Sequence, residues 1–260
     1  MNKMTFAFSV VTALALGVVG CGDSSSNNGT GGTGGSGDGA SVTAAHFAPE
    51  VPSADNTAVA IFIDGAEVEA LGTLEYGQST GRVPLDAGTY DIGIGLPGGD
   101  APLLQLDDVP LEDGDDLTVI AYRTNADLPV DVFVVSNATD GLEDGKGRVF
   151  VAHGANDSLL NPVDIILTDE GACPPPLLDQ LEFEQVKPDG GLDLDEATYN
   201  LGFDLNPGDC AAEVSFSAPV TPGVTTIVVA VDEDTTDESL SPQVWAIINA
   251  SDAPVALIEQ

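Results

Sequence analysis

Short runs in which apolar and polar residues alternate recur along most of the chain after residue 40. In Thr89–Leu96, the side chains of Tyr90, Ile92 and Ile94 point to one face of an extended segment, and the residues between them point to the other. The runs are rich in Val, Ile, Phe and Tyr and are bounded by Gly, Pro, Asn or Asp, which is typical of β-strands. No stretch has the 3.6-residue period of an amphipathic helix.

The spacing of these runs predicts seven or eight strands in about 100 residues, with some of the runs merging. Such spacing indicates an all-β fold, and specifically an antiparallel, immunoglobulin-like β-sandwich. In the first half of the chain the strands are expected near residues 41–47, 58–64, 67–71, 73–76, 79–84, 89–96, 102–108, 116–123 and 129–137.

The same order of segments occurs twice. Val42–His46 recurs as Val149–His153, and Leu85–Ile94 recurs as Leu194–Phe203. The period of about 105–110 residues is far longer than a solenoid unit and long enough for a separate core, so it indicates a duplicated domain. We therefore expect two tandem β-sandwiches, residues 41–145 and 146–260, whose relative movement is limited by a short junction at 141–147. The further matched pairs are 59–64 with 163–168, 74–76 with 181–183, 119–121 with 228–230, and 132–138 with 244–250.

The order of motifs in the first copy resembles the bacterial domain-of-unknown-function family 4397, whose members occur as tandem copies in exported and lipid-anchored proteins. The residues that carry the resemblance are His46, Asp64, Gly65, Pro84, Leu85, Gly88, Thr89, Tyr90 and Glu112–Gly114. The second copy matches more loosely: Ala197 replaces Gly88, and Thr168-Asp169 replaces Asp64-Gly65. The resemblance implies architecture and location, and it implies no activity.

The N-terminus has the pattern of a secretory signal. Lys3 is followed by the uncharged, apolar run Met4–Gly20, which is shorter than the roughly 20 residues of the alternative, a transmembrane anchor. Val18–Cys21 resembles the lipobox of bacterial lipoproteins, which implies a signal peptide at 1–20 and lipids on Cys21. The Gly-, Ser- and Asn-rich residues 21–40 then form a flexible tether. We expect a lipid-anchored protein of the cell envelope, and Gly22 after the cysteine favours the outer membrane.

Three cysteines are present, and assigning Cys21 to lipid leaves Cys173 and Cys210 as one pair. Export to an oxidising compartment permits a disulfide between them. The alternative, a metal site, lacks a CxxC pair and has only His153 nearby. The sequence therefore predicts a disulfide, for which thiol titration of the folded, unreduced protein would find no reactive thiol.

The chain carries 43 acidic residues against 6 Lys and Arg, a formal charge of −37 at pH 7. This charge excludes nucleic acid as a partner, because a duplex is bound by basic side chains that neutralise its phosphates. Hydrophobic residues make up 43% of the chain, so it has enough apolar surface to fold. The acidic residues are spread over turns and outward strand positions, so we expect a self-repelling folded surface that salt stabilises, as in a saline habitat.

Two motifs suggest chemistry and also have simpler structural interpretations. Gly77–Gly81 fits the G-x-S-x-G nucleophile elbow around Ser79, but that motif needs a strand, a turn and a helix, whereas strand-like residues follow here. A β-turn is the favoured interpretation. His46 and His153 hold the same place in both copies, which favours a structural role, with a ring nitrogen bonded to loop backbone near Pro49 or Asn156, over a base or metal ligand.

Acidic segments at 107–108, 112–116, 189–196 and 232–238 contain oxygen ligands that suit calcium, but none has EF-hand spacing. Solvated turns are the favoured interpretation, with a hairpin turn expected at Glu112–Gly114. No metal or cofactor is expected. The favoured function is a non-catalytic envelope lipoprotein with two β-sandwiches for surface structure or protein contact, held to the lipid bilayer by the acyl chains of Cys21. A calcium- or glycan-dependent adhesion module is the alternative, although aromatics, at 5%, are few for sugar binding. A hydrolase is the third.

Overall fold

The computed structural model describes residues 39–53, 56–124, 130–155, 161–168, 175–205, 211–231, 243–248 and 253–257. The segment Ser36–Gln260 forms one compact unit. Within the described residues, no helix has both the length and the apolar character needed to cross a membrane. The predicted signal peptide, the tether up to residue 38 and all three cysteines lie outside the described residues.

The fold is all-β, as the alternating pattern predicts. The strands are β1 (Ala40–Phe47), β2 (Val59–Ile63), β3 (Ala66–Glu67), β4 (Thr73–Leu74), β5 (Gln78–Ser79), β6 (Val83–Leu85), β7 (Gly88–Gly95), β8 (Pro102–Leu111), β9 (Asp116–Arg123) and β10 (Val130–Ser136), followed by β11 (Lys146–Gly154), β12 (Val163–Leu167), β13 (Leu178–Leu181), β14 (Gln185–Asp195), β15 (Ala197–Asp204), β16 (Val214–Val220), β17 (Thr225–Val231), β18 (Gln243–Ile248) and β19 (Val255–Leu257).

These strands form four sheets. The first outer sheet has the order β3-β2-β7-β8, with β4 also on β2, and the first inner sheet has the order β10-β9-β1-β5, with β6 also on β1. The second inner sheet is β14-β11-β17-β18-β19, and the second outer sheet is β13-β12-β15-β16. Strands β1 to β10 therefore build the first pair of sheets, and strands β11 to β19 build the second pair.

The buried side chains show how the sheets are layered. Ile61 and Ile94 of the first outer sheet pack with Ala44 and Ala121 of the first inner sheet. A separate cluster, which includes Ile120 and Ile227, joins the two inner sheets, and a further cluster joins the second inner and second outer sheets. Because alternate residues of a strand point to opposite faces, both inner sheets bury apolar side chains on both faces.

The all-β, sandwich-like fold agrees with the prediction of antiparallel β-sandwiches, but each inner sheet also contains one parallel pair of strands. Strand β1 pairs in parallel with β9, and β11 pairs in parallel with β17. The strand orders β10-β9-β1-β5 and β18-β17-β11-β14 agree when each strand is replaced by the one that matches it in sequence. Parallel neighbours need a long crossover. In each case the intervening chain forms the outer sheet and also adds β5 and β6, or β14, to the edge of the inner sheet. Spacing alone therefore did not reveal the direction of these pairs.

Two local predictions were wrong. The strand expected at residues 67–71 is a two-residue strand followed by the 3-10 helix Glu69–Leu71. The turn at Glu112–Gly114 is not a hairpin turn, because it connects β8 of the outer sheet to β9 of the inner sheet. A tight hairpin turn lies instead at Asp64-Gly65, where φ values of 53° and 76° match a type I′ turn.

Candidate functional site

His46 lies at the end of β1 and is 1% exposed. Its Nε2 lies 2.9 Å from the carbonyl oxygen of Thr57 and 3.3 Å from that of Val51. Because a carbonyl oxygen only accepts, Nε2 carries the proton and the ring is the neutral Nε2–H tautomer. Burial lowers the pKa of His46, and the two backbone hydrogen bonds only partly oppose that effect. The ring therefore stays uncharged and ties β1 to the loop that precedes β2.

His153 occupies the matching place on β11 and is 2% exposed. Its ring meets that of Phe183 edge to face at a centroid distance of 6.5 Å. The carbonyl oxygens of His46 and His153 accept hydrogen bonds of 2.8 Å from the backbone N–H groups of Gly77 and Glu184, respectively. The two histidines thus have matching backbone environments, and the structure does not bring them together in one site.

Ser79, the nucleophile suggested by G-x-S-x-G, lies on β5 and pairs with Ala45 of β1. His46 pairs with the preceding residue, Gln78, so the side chains of Ser79 and His46 point to opposite faces of the sheet. The chain continues from β5 into β6 rather than into a helix. This geometry does not place Ser79 and His46 together as a nucleophile and its base.

The acidic segments have several different structures. Asp115 closes the turn after β8 by accepting a hydrogen bond of 2.8 Å from the backbone N–H of Glu112. Residues 189–195 belong to strand β14 rather than to a turn, and residues 232–238 lie outside the described residues. Within the described part of the chain, no group of three or more His, Cys, Asp or Glu side chains is placed to hold a metal ion.

A pair of buried carboxylates, which the sequence reasoning missed, lies in the second outer sheet. Asp164 of β12 and Asp204 of β15 stand directly opposite each other, and they are 6% and 2% exposed. Oδ1 of Asp164 accepts a hydrogen bond of 2.8 Å from the backbone N–H of Gln180. The matching residues of the first pair of sheets are Ala60 and Gly95, so the alignment of matched segments contained the signal: aspartates stand where two small uncharged residues stand in the other segment.

Aromatic side chains dominate the contact between the two inner sheets. The ring of Trp245 on β18 stacks on Phe47 at a centroid distance of 5.3 Å and meets the edge of Tyr76 at 5.7 Å. Trp245 Nε1 also donates a hydrogen bond of 3.4 Å to the hydroxyl of Tyr76. A Cβ atom on Gly77 would lie 2.6 Å from the Trp245 ring, so the absence of a side chain at residue 77 makes room for the indole.

A second group of rings lies elsewhere in the same contact. Tyr122 stacks on Phe133 at 4.0 Å and meets the edge of Phe183 at 6.1 Å. Gly154, which follows His153 as Phe47 follows His46, lies against Tyr122: a Cβ atom on it would be 3.0 Å from the tyrosine side chain. Large residues on one sheet therefore face small residues on the other, and the two sheets interlock.

The contact between the inner sheets also contains acidic groups. Burial raises the pKa of Glu184, and the neighbouring carboxylate of Asp131 raises it further. Burial, followed by the negative charges of Asp131 and Glu184, raises the pKa of Tyr122 well above its usual range. The phenol of Tyr122 is therefore neutral at any physiological pH and acts as an apolar ring with a polar edge.

Arg148 holds in place the segment between β10 and β11, residues 137–145. Its guanidinium forms hydrogen bonds of 2.9 Å and 3.2 Å to the two carboxylate oxygens of Asp193. It also donates to the carbonyl oxygen of Ala138 at 2.9 Å. These hydrogen bonds lower the pKa of Asp193 and raise that of Arg148. Nearby, the hydroxyl of Thr225 donates to the carbonyl oxygen of Asn137 at 3.1 Å, so the start of the segment is bonded to both β11 and β17.

The gaps between the layers are lined by core side chains rather than by convergent polar groups. One lies between Val149, Leu178 and Leu201, and another lies between Ile61, Ile94 and Leu104. A ligand site of the usual kind combines a large apolar cleft with a few placed polar groups, and these gaps lack that combination. The described residues therefore offer surfaces and edges, rather than a pocket, as the most distinctive places for binding.

Comparison with known proteins gives one family. Residues 40–166 match the model of the Domain of unknown function (DUF4397) family. The match spans the strands of the first pair of sheets and continues into β11 and β12. It confirms the family resemblance over these residues. No curated protein matches the chain.

Proposed function

We propose that this protein is an exported lipoprotein whose tandem β-sandwich body is displayed from the cell envelope in a non-catalytic role, as a surface or contact module. The observation that carries the proposal is the order of parts along the chain. A sequence that resembles a lipobox ends at Cys21, a tract without bulky apolar residues follows, and strand β1 begins at Ala40. A tether of about 19 residues has a root-mean-square span on the order of 25 Å, enough to hold the body clear of lipid headgroups.

The proposal includes two copies of one domain. The matched strand orders of the two pairs of sheets and the matched positions of His46 and His153 support a duplication. The aromatic contact between the inner sheets, together with the fixed Arg148 segment, supports a body that moves as one piece. A tether at one end and a rigid body beyond it suit a protein that presents a surface to a partner.

Lipidation and its consequence can be measured together. We expect the full chain, expressed in a bacterial host that processes lipoproteins, to incorporate labelled palmitate and to fractionate with membranes. The Cys21→Ser variant should incorporate no label and should leave the membrane fraction, whereas Ser24→Ala, a matched change inside the tether, should behave as wild type. Equal labelling of Cys21→Ser and wild type would contradict the lipid anchor.

The contact role has a separate test. We expect the body Ser36–Gln260, used as bait in an envelope extract, to retain a defined partner at a salt concentration that screens nonspecific electrostatic binding.

The non-catalytic role is tested with a panel of esters and peptides, which the wild-type body and Ser79→Ala should hydrolyse equally slowly. A rate that falls on Ser79→Ala would contradict the non-catalytic role and restore the hydrolase hypothesis.

A further inference from the structure

Sheet edges are the places where a folded β-protein accepts another strand, and most sheet edges among the described residues are protected. Proteins protect edges with short strands, prolines and bulges. Among the described residues, five edge strands have four residues or fewer: β3, β4, β5, β13 and β19. Four others contain proline: β6 has Pro84, β8 has Pro102 and Pro110, β14 has Pro188, and β16 has Pro219. Strand β10 is the exception in this part of the chain.

Strand β10 has the sequence Val-Asp-Val-Phe-Val-Val-Ser, without glycine or proline. It pairs with β9 over seven consecutive residues with no register shift, so it is a regular strand. Within the described residues, β9 is its one sheet neighbour. A regular edge strand of this composition is a template for strand addition.

The second inner sheet shows that the matching position accepts a strand. There, β19 pairs antiparallel with β18, with Val244 opposite Leu257 and Ala246 opposite Val255. The residues of β10 that match 244–246 are 132–134, and no described strand pairs with their outer edge. The position that β19 fills in one inner sheet thus has no described strand in the other.

We propose that the outer edge of β10 is a dimerisation site, at which β10 of a second copy of this chain pairs antiparallel with it. The register follows from the backbone. The N–H of Val132 donates to Oδ1 of Asp131 at 2.8 Å, so it points away from β9. Since alternate residues share a direction, residues 130, 132, 134 and 136 present their N–H and C=O groups to the outer edge.

Two copies of β10 satisfy these groups over all seven residues in one antiparallel register. Val132 then lies opposite Val134 of the second copy, and Phe133 lies opposite its own equivalent. Four hydrogen-bonded pairs with two bonds each give about eight new backbone hydrogen bonds. Asp131 lies opposite Val135 of the other chain, so the two Asp131 carboxylates do not face each other. The first inner sheet of one chain then continues into the first inner sheet of the other.

Charge sets the conditions under which such a dimer forms. Each full chain carries a formal charge of −37, so two copies repel each other at low ionic strength. Salt shortens the range of that repulsion from about 10 Å at 0.1 M to about 3 Å at 1 M, whereas backbone hydrogen bonds between strands are little affected. The dimer should therefore be favoured in concentrated salt.

The test is sedimentation velocity of the body Ser36–Gln260 at about 0.1 M and about 1 M NaCl. We expect a reversible monomer–dimer equilibrium that shifts towards the dimer in the higher salt. Val132→Pro removes one outward donor from each copy and should raise the dissociation constant about tenfold or more. Leu103→Pro, on the exposed and already proline-flanked β8, is the matched control and should leave the dissociation constant unchanged.

A substitution of Asp131 should strengthen the dimer instead of weakening it. Its carboxylate occupies the N–H of Val132 that the second copy needs, so Asp131→Ala should lower the dissociation constant. Asp113→Ala removes the same charge from an exposed turn and should lower it less. If circular dichroism shows that Val132→Pro does not fold, the comparison of Asp131→Ala with Asp113→Ala still tests the dimer.

Four outcomes would overturn the proposal. They are a monomer at both salt concentrations, a dimer that dissociates on Leu103→Pro instead of Val132→Pro, no difference between Asp131→Ala and Asp113→Ala, and open-ended oligomers that disappear when residues 253–257 are deleted. The last result would assign self-association to β19 instead of β10.

Discussion

Gly77 offers a sharp test of the contact between the two inner sheets. It has a φ of +80°, and the nearest Trp245 ring carbon lies 2.6 Å from the position that a Cβ atom would take. Gly65 has a similar φ of +76°, but no atom lies within 4 Å of its Cβ position. Gly65→Ala and Gly77→Ala therefore share the cost of a left-handed alanine and differ in their contact with the indole.

The expected loss of stability follows from two costs, the left-handed conformation of the alanine and its contact with the indole. An alanine in the left-handed region costs about 1–2 kcal/mol, and this cost applies to both variants. In Gly77→Ala the ring of Trp245 must also move, and its stacking on Phe47 and contact with Tyr76 restrict that movement. Overpacking of this kind costs about 1–3 kcal/mol more. At roughly 2–4 °C per kcal/mol for a body of this size, Gly77→Ala should melt about 2–12 °C below Gly65→Ala.

The assay combines thermal melting by circular dichroism with tryptophan fluorescence. Trp245 is the only tryptophan of the chain, so its fluorescence reports on the contact between the inner sheets. If the two pairs of sheets unfold together, the circular dichroism and fluorescence transitions of the wild-type body coincide. Gly77→Ala should shift both transitions and also change the emission of the folded state.

Two results would refute this reasoning. Equal melting temperatures of Gly65→Ala and Gly77→Ala would mean that the indole does not fill the space above residue 77. A fluorescence transition well separated from the main circular dichroism transition would mean that the inner sheets come apart before the sandwiches unfold.

Three further predictions concern charge and protonation. The melting temperature of the body should rise with NaCl, because salt screens the repulsion among its acidic side chains; a flat or falling curve would contradict this. Burial holds the pKa of His46 below its ordinary value of 6.5, so the native state binds fewer protons than the unfolded state. The free energy of unfolding should therefore fall as the pH drops below about 6.5. His46→Gln should flatten that pH dependence in denaturant titrations. Arg148→Gln should lower the free energy of unfolding by about 1–3 kcal/mol through loss of its charge-assisted bonds to Asp193. Arg82→Gln, whose side chain is 47% exposed, should cost about 1 kcal/mol or less. Equal effects of the two arginine changes would contradict a fixed junction.

Much of the fold was predictable because strand formation depends on local pattern. The alternation in Thr89–Leu96 predicts strand β7, and the repeat alignment places its equivalent at β15. The direction of strand pairing was not predictable, since β1 and β9 are distant in sequence and nothing local distinguishes a parallel neighbour from an antiparallel one. Likewise, Ser79 fits a catalytic pattern in sequence, and its place on β5, opposite in direction to His46, emerges only from the pairing with β1.

The sequence by itself determined the all-β class, the repeated order of segments and the acidic composition, because each depends on residue identity and short-range spacing. The tertiary structure alone decided that Trp245 packs into the space above Gly77, that Asp164 faces Asp204, and that β18 is covered by β19 whereas no strand among the described residues pairs with the outer edge of β10. These features join residues far apart in the chain, and they are fixed by packing and by strand pairing rather than by local preference.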